Sequence, residues 1–139
     1  MPNFSQASRT RLATCHQDLQ DLMNEVVKGF DIKIIEGHRT EARQQDLFAQ
    51  GRTKPGPVVT NCDGILKKSK HQSLPSIAID VAPYPINWNN TNRFWELGGF
   101  VQATALRMNI KVKWGGHFNT IVDLPHWEVF NDRSNLYHT

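Results

Sequence analysis

Three residues stand where their side chains are chemically conspicuous. His71 closes a long polar loop, Asp80 interrupts the apolar run Ile77, Ala78, Ile79 and Val81, and His126 follows Pro125 at the head of a short apolar stretch. Two imidazoles and one carboxylate form the donor set of a catalytic metal site, because they leave the fourth position of a tetrahedral ion to a water that the ion acidifies. Asp123 lies three residues before His126 with a proline between them. A turn there brings its carboxylate beside such a water, to take a proton and pass it to a leaving amine. Spacing alone leaves other readings open. Two histidines and an acid at these intervals arise in unrelated chains, and an aspartate in a turn also caps backbone N–H groups.

These residues need elements to hold them. Leu12, Leu19, Leu22, Met23, Val26, Val27 and Phe30 recur at three- and four-residue steps, which predicts one amphipathic helix over Ser8–Phe30, stopped by Gly29. Asp31 to Glu36 reads as a short β-branched strand, and Gly37 opens the turn that carries His38 and Arg39. A second helix is capped at Thr40, runs over Ala42–Gln50 and closes at Gly51. Residues 51–70, with three glycines and two prolines and no sustained period, form a long surface loop, a feature that usually serves function. Ser76 to Val81 suits a buried strand ended by Pro83 and Pro85. A third helix covers Thr91–Met108, where Gly98 and Gly99 mark either a kink or a close contact. Strands at Ile110–Trp114 and His126–Phe130 flank a Gly115-Gly116 turn. The order predicts an α+β domain with a mostly antiparallel sheet flanked by helices.

At 139 residues, with 39% hydrophobic and 21% charged residues, the chain is expected to form one soluble globular domain over residues 1–139. The net charge of +3 suits an anionic partner without choosing one. The densest basic stretch, Lys67, Lys68 and Lys70, is too short for a nucleic-acid footprint and lies beside His71, so no nucleic-acid partner is expected. Cys15 and Cys62 lack the close spacing of a metal or redox pair and read as thiols. The N-terminal residues lack the apolar core of a signal peptide, and no 18-residue apolar run exists, so no stable membrane association is expected.

Four segments together resemble the D-Ala-D-Ala carboxypeptidase/dipeptidase group of zinc peptidases: Gly37-His-Arg-Thr40, the stretch from Gly51 to Thr60, Ser69-Lys-His71 through Ala78-Ile-Asp80, and Asp123-Leu-Pro-His-Trp-Glu128. Within that group they are most similar to phage endolysins that are L-alanyl-D-glutamate endopeptidases. The resemblance runs from about Leu19 to Val129. It implies the D-Ala-D-Ala metallopeptidase (hedgehog-like) fold and a single zinc ion held by His71, Asp80 and His126, with Asp123 as the base. It also implies that Arg39 stabilises negative charge on the scissile carbonyl oxygen, and that Ser69 binds substrate or orients the loop before His71. Two features depart from the family pattern. His71 and Asp80 are nine residues apart rather than seven, and Ser76 replaces a glycine; a longer loop containing Pro75 is expected to absorb both.

The implied substrate is bacterial peptidoglycan, cut at the L-alanyl-D-glutamate bond of the stem peptide. The implied setting is the host cytoplasm, followed by release through a holin-type pore onto periplasmic or cell-wall murein, and the protein is expected to be a monomer. D-Ala-D-Ala carboxypeptidase or dipeptidase action is the alternative chemistry, and a non-catalytic wall-binding domain is the alternative class. Among other candidates, His38 and His117 are expected to be structural, Glu128 either supports a ligand or is a strand-edge charge, and the four tryptophans are expected in the core or in groove walls.

Overall fold

A computed structural model describes residues 2–130 and 137–138. Among these residues four helices, α1 (Gln6–Leu12), α2 (Gln17–Val26), α3 (Glu41–Ala49) and α4 (Thr91–Met108), accompany four strands, β1 (Ile32–Glu36), β2 (Ala78–Pro83), β3 (Val112–Trp114) and β4 (His126–Val129). The strands form one sheet in the order β1-β2-β4-β3. Every pairing in it is antiparallel, so the expected α+β class holds.

Each helix starts where a polar side chain satisfies its first free N–H groups. Ser5 caps α1, Thr40 accepts from the Arg43 N–H at 3.1 Å to cap α3, and Asn90 caps α4. The long helix expected over Ser8–Phe30 is instead two, α1 and α2, with a corner at residues 13–16. The cause is distant in sequence. Ser76 donates its N–H to the Thr14 carbonyl at 2.9 Å and accepts from the His16 N–H at 2.8 Å, which takes the backbone groups a continuous helix would use. The His16 ring then caps α2 by accepting from the Asp18 N–H. The residues between His71 and Asp80 are thereby fastened to the α1–α2 corner.

Side chains alternate across the sheet. Ile32, Ile34, Ile79, Val81, Trp127 and Val129 belong to the core with Leu19, Leu22 and Met23 of α2 and Leu97 and Val101 of α4. Trp114 stacks on Trp127 with ring centroids 5.5 Å apart. A Cβ on Gly98 would lie 2.6 Å from the Trp114 ring, whereas one on Gly99 would meet nothing within 4 Å. The glycine pair therefore marks a close helix–sheet contact made by Gly98. The same alternation sends Asp80, His126 and Glu128 to the other face. The register seats Asp80 opposite Glu36 on one side and His126 on the other. The two central strands thus carry two of the conspicuous residues as direct neighbours.

Candidate metal centre and its cleft

His71 joins that pair from a single 3-10 turn over Lys70–Gln72. Ser69 caps the turn, its hydroxyl accepting from the His71 N–H at 3.2 Å while the Gln72 side chain returns to the Ser69 N–H at 2.8 Å. The turn after β1 holds His71 twice more. The Gly37 carbonyl accepts from His71 Nδ1 at 2.8 Å, and the Arg39 N–H donates to the His71 carbonyl at 2.8 Å. With Nδ1 carrying the proton, Nε2 keeps its lone pair and faces inward. His126 is set the opposite way. Its Nε2 donates to Glu128 Oε1 at 2.9 Å, which leaves Nδ1 free to face the same point.

Three donor atoms converge there. His71 Nε2 and His126 Nδ1 are 3.3 Å apart, His71 Nε2 and Asp80 Oδ1 are 3.4 Å apart, and His126 Nδ1 and Asp80 Oδ1 are 3.5 Å apart. Asp80 Oδ1 is buried and has no hydrogen-bond partner among the described residues. Two imidazole lone pairs and an orphaned carboxylate oxygen repel one another unless a cation lies between them. A tetrahedron with donors 2.0–2.1 Å from its centre has edges of about 3.3–3.4 Å, so the triangle fits a four-coordinate metal ion. This is the only such cluster of three or more among the described residues.

The charges agree with that reading. Burial works to raise the Asp80 carboxyl, but the His71 and His126 rings beside it win and hold it well below the usual carboxylate range. Burial lowers His126, yet the Asp80 and Glu128 carboxylates outweigh it and push the imidazole up to about 9. A proton on His126 partly neutralises a site that is short of positive charge. Asp123 moves the other way, its carboxyl raised by partial burial and then by the Asp80 negative charge.

Asp123 stands beside the triangle rather than in it. Its Oδ2 is 3.8 Å from His126 Nδ1, and its side chain is 40% exposed to the cleft. The backbone fixes it, with the His126 N–H donating to the Asp123 carbonyl at 3.1 Å and the Asp123 N–H to the Gly115 carbonyl at 2.9 Å. Gly115 is required by that approach, since a Cβ there would lie 2.1 Å from the Asp123 carbonyl oxygen.

Arg39 is nearly saturated. Its Nε and Nη2 donate to Glu36 Oε1 at 3.0 and 2.7 Å, its Nη1 to Gln44 Oε1 at 2.8 Å, and Nη2 also reaches Asp80 Oδ2 at 3.4 Å. It therefore anchors the second oxygen of Asp80 while lining the cleft with Ser69 and Asp123. Gln44, fully buried, donates in turn to the Cys62 carbonyl at 2.9 Å and ties Arg39 to the long loop.

Asp80, His71, His126, Asp123, Arg39 and Ser69 all meet in this one cleft. His38 does not; its ring bonds the Ser73 carbonyl, as a structural turn histidine should. Exposed His117 packs edge-on against Trp114. Glu128 is no strand-edge charge, being buried and bonded to both His126 and Lys70. Sequence reasoning missed Lys70, Glu36 and Gln44. Lys70 read as part of a basic stretch, yet it is buried and neutralises Glu128. The available signal was its place between Ser69 and His71, and for Glu36 it was an acid ending an apolar strand three residues before an arginine.

A sequence model of the phage L-alanyl-D-glutamate peptidase family matches residues 2–132. The peptidoglycan L-alanyl-D-glutamate endopeptidase CwlK of Bacillus subtilis (strain 168) is 29% identical over 111 residues, a match covering 73% of this chain and 62% of that protein. The chain thus spans less than two thirds of that relative's length. The crystal structure of the Serratia marcescens L-Ala D-Glu endopeptidase ChiX superposes with a TM-score of 0.69 at 22% identity, over 92% of this chain and 90% of that one, which shows a shared fold.

Proposed function

The chain belongs to the phage L-alanyl-D-glutamate peptidase family, and on that premise we propose that residues 1–139 form one zinc-dependent catalytic unit that hydrolyses the L-alanyl-D-glutamate bond of the murein stem peptide. The observation that carries the hydrolytic reading is the placement of Asp123 at the edge of a closed donor triangle, reachable from the cleft and committed to no ligand position. A pure binder has no use for a carboxylate there.

His71, Asp80 and His126 would hold the zinc, which when bound supplies Lewis-acid polarisation of the scissile carbonyl and lowers the pKa of the attacking water. Asp123 takes a proton from that water and delivers it to the leaving amine of D-glutamate. Its raised affinity for a proton suits a group that must hold one between the two transfers. Arg39, fixed by Glu36 and Gln44, brings a permanent positive charge toward the carbonyl oxygen as that oxygen gains negative charge. Ser69 shapes the turn that presents His71 and contributes to the cleft wall.

On this reading the chain is a phage lysin, as the family's description supports, and acts as a monomer that reaches murein from the host cytoplasm through a holin-type pore. No helix among the described residues is long and apolar enough to cross a membrane. Mass spectrometry of purified murein after digestion, with and without a chelator, tests the reading. The expected products carry a new L-alanine carboxyl terminus and a new D-glutamate amino terminus, and the chelator abolishes both. Release of terminal D-alanine would favour the carboxypeptidase alternative, and no new termini would favour a wall-binding domain.

A further inference from the structure

The charge arrangement around the cleft points to how the substrate is oriented. Glu36, Arg39 and Arg43 stand on the side of edge strand β1 and the helix α3 that follows it. Phe118 and Ile121 stand on the side of the opposite edge strand, β3, and Phe118 packs on His126 with centroids 5.4 Å apart. The donor triangle of His71, Asp80 and His126 lies between, on β2, β4 and the 3-10 turn. The first wall therefore carries the cleft's arginines, beside apolar Ile35 and Leu47, while the second presents Phe118 and Ile121 with uncharged Thr120.

The first wall carries a surplus cation. Arg39 and Arg43 are the arginines and lysines lining the cleft among the described residues, and Glu36 is shared between them. Glu36 gives Oε1 to Arg39 and Oε2 to Arg43 Nε, at 3.3 Å. Arg39, its side chain 10% exposed, is nearly saturated, but Arg43 has half its side chain exposed. The Arg43 terminal nitrogens meet only Asp46, at 3.9 Å, among the described residues, and Asp46 is itself paired with Lys54. Glu36 thus fixes the guanidinium plane at Nε while the outer fork stays open, the arrangement that suits bidentate capture of a carboxylate.

The substrate of the proposed reaction supplies such a group. In the stem peptide, D-glutamate is joined to the next residue through its γ-carboxyl, so its α-carboxylate remains free. That carboxylate carbon lies about 2.5 Å from the scissile nitrogen. An anion so close to the reacting atoms enters a cleft already lined by Glu36, Asp80 and Asp123, and needs a cation to offset the repulsion.

We propose that Arg43 receives the α-carboxylate of the D-glutamate on the leaving side of the scissile bond, and that the wall of Phe118 and Ile121 faces the L-alanine side. Arg43 is then a specificity-determining residue that distinguishes a stem bearing D-glutamate from one bearing the α-amide, D-isoglutamine. This rests on the endopeptidase reading above.

The test compares two soluble N-acylated stem peptides, one with D-glutamate and one with D-isoglutamine, on the zinc-loaded protein. Wild type should favour the acid by about ten- to a hundredfold in kcat/KM, the range of a charge-assisted hydrogen bond, with most of the difference in KM. Arg43→Gln should shrink that ratio to within about twofold, while Arg43→Lys retains part of it because the charge survives without the fork. Metal content and thermal midpoint, measured alongside, identify any variant whose fold is lost; the ratio is then read from Arg43→Lys, which should lie clearly below wild type. An unchanged ratio in a folded Arg43 variant, or a wild type that cleaves both peptides equally, would overturn the role of Arg43 and leave the endopeptidase reading intact. Cleavage of neither peptide would sink both.

Discussion

His71 Nε2 and His126 Nδ1 face each other at 3.3 Å, each with its other ring nitrogen committed as a donor, to the Gly37 carbonyl and to Glu128 respectively. Lone pairs brought that close need positive charge between them, which a proton supplies in part and a metal ion in full. One equivalent of zinc is therefore expected after dialysis. His71→Ala and His126→Ala should each lose it, and Asp80→Asn should weaken it severely. Metal analysis of the purified variants checks this, and full zinc retention in either alanine variant would remove that residue from the ligand set.

Lys70, Glu128 and His126 form a buried chain that sets the imidazole from behind. Glu128→Gln keeps an acceptor for the ring N–H but leaves Lys70 without its counter-charge. Lys70→Met leaves Glu128 charged and buried. Each single change should lower zinc affinity by about ten- to a hundredfold. The double variant should be more stable than either single one, because no unpaired charge remains. Chelator competition and thermal melts measure the two effects separately.

Metal-free protein should show a pH signature. His126 is raised from 6.5 to about 9, so its contribution to stability is complete below pH 6.5 and is lost as pH rises through 9. Asp80 is lowered from 3.8, so its contribution is present above that pH and is lost in stronger acid. The thermal midpoint in chelator should therefore fall between pH 6.5 and 9. With zinc bound, the ion replaces the His126 proton and the fall should disappear. A metal-free midpoint that stays level across that window would contradict the charge assignment.

Much of this site was legible because it depends on residue type. A carboxylate in an apolar strand and an Asp-Leu-Pro-His turn are conspicuous without any structure, and α4 was legible to the residue from its broad apolar face, which Asn90 and Asn109 bound as caps. What escaped depends on contacts between distant segments. The α1–α2 corner exists because Ser76 takes the backbone groups of Thr14 and His16, about sixty residues away. Lys70 is buried only because Glu128 comes to meet it. Gln44 gives no pattern signal, since α3 buries this one polar residue in place of an apolar stripe.

Gly115→Ala should damage the site while leaving every functional side chain chemically unchanged. The new Cβ would sit 2.1 Å from the Asp123 carbonyl oxygen and 2.9 Å from His126 Cβ, so the turn that positions both must move. A stability loss of about 1–3 kcal/mol is expected, as for overpacking. A displacement near 1 Å would cost turnover about a hundredfold. Thermal melts and murein turnover check it, and a variant matching wild type in both would show that the contact relaxes freely.

Asp123 carries the claim that this is a hydrolase rather than a zinc-holding binder, and the direct measurement is murein turnover by Asp123→Asn at verified zinc occupancy. The side chain lies outside the donor triangle and its volume barely changes, so zinc content and murein binding should match wild type. Turnover should fall by about two to four orders of magnitude, the range for loss of a positioned acid-base group. Full turnover in the zinc-loaded variant would contradict the mechanism at its proton-transfer step, and loss of zinc would make Asp123 a ligand instead.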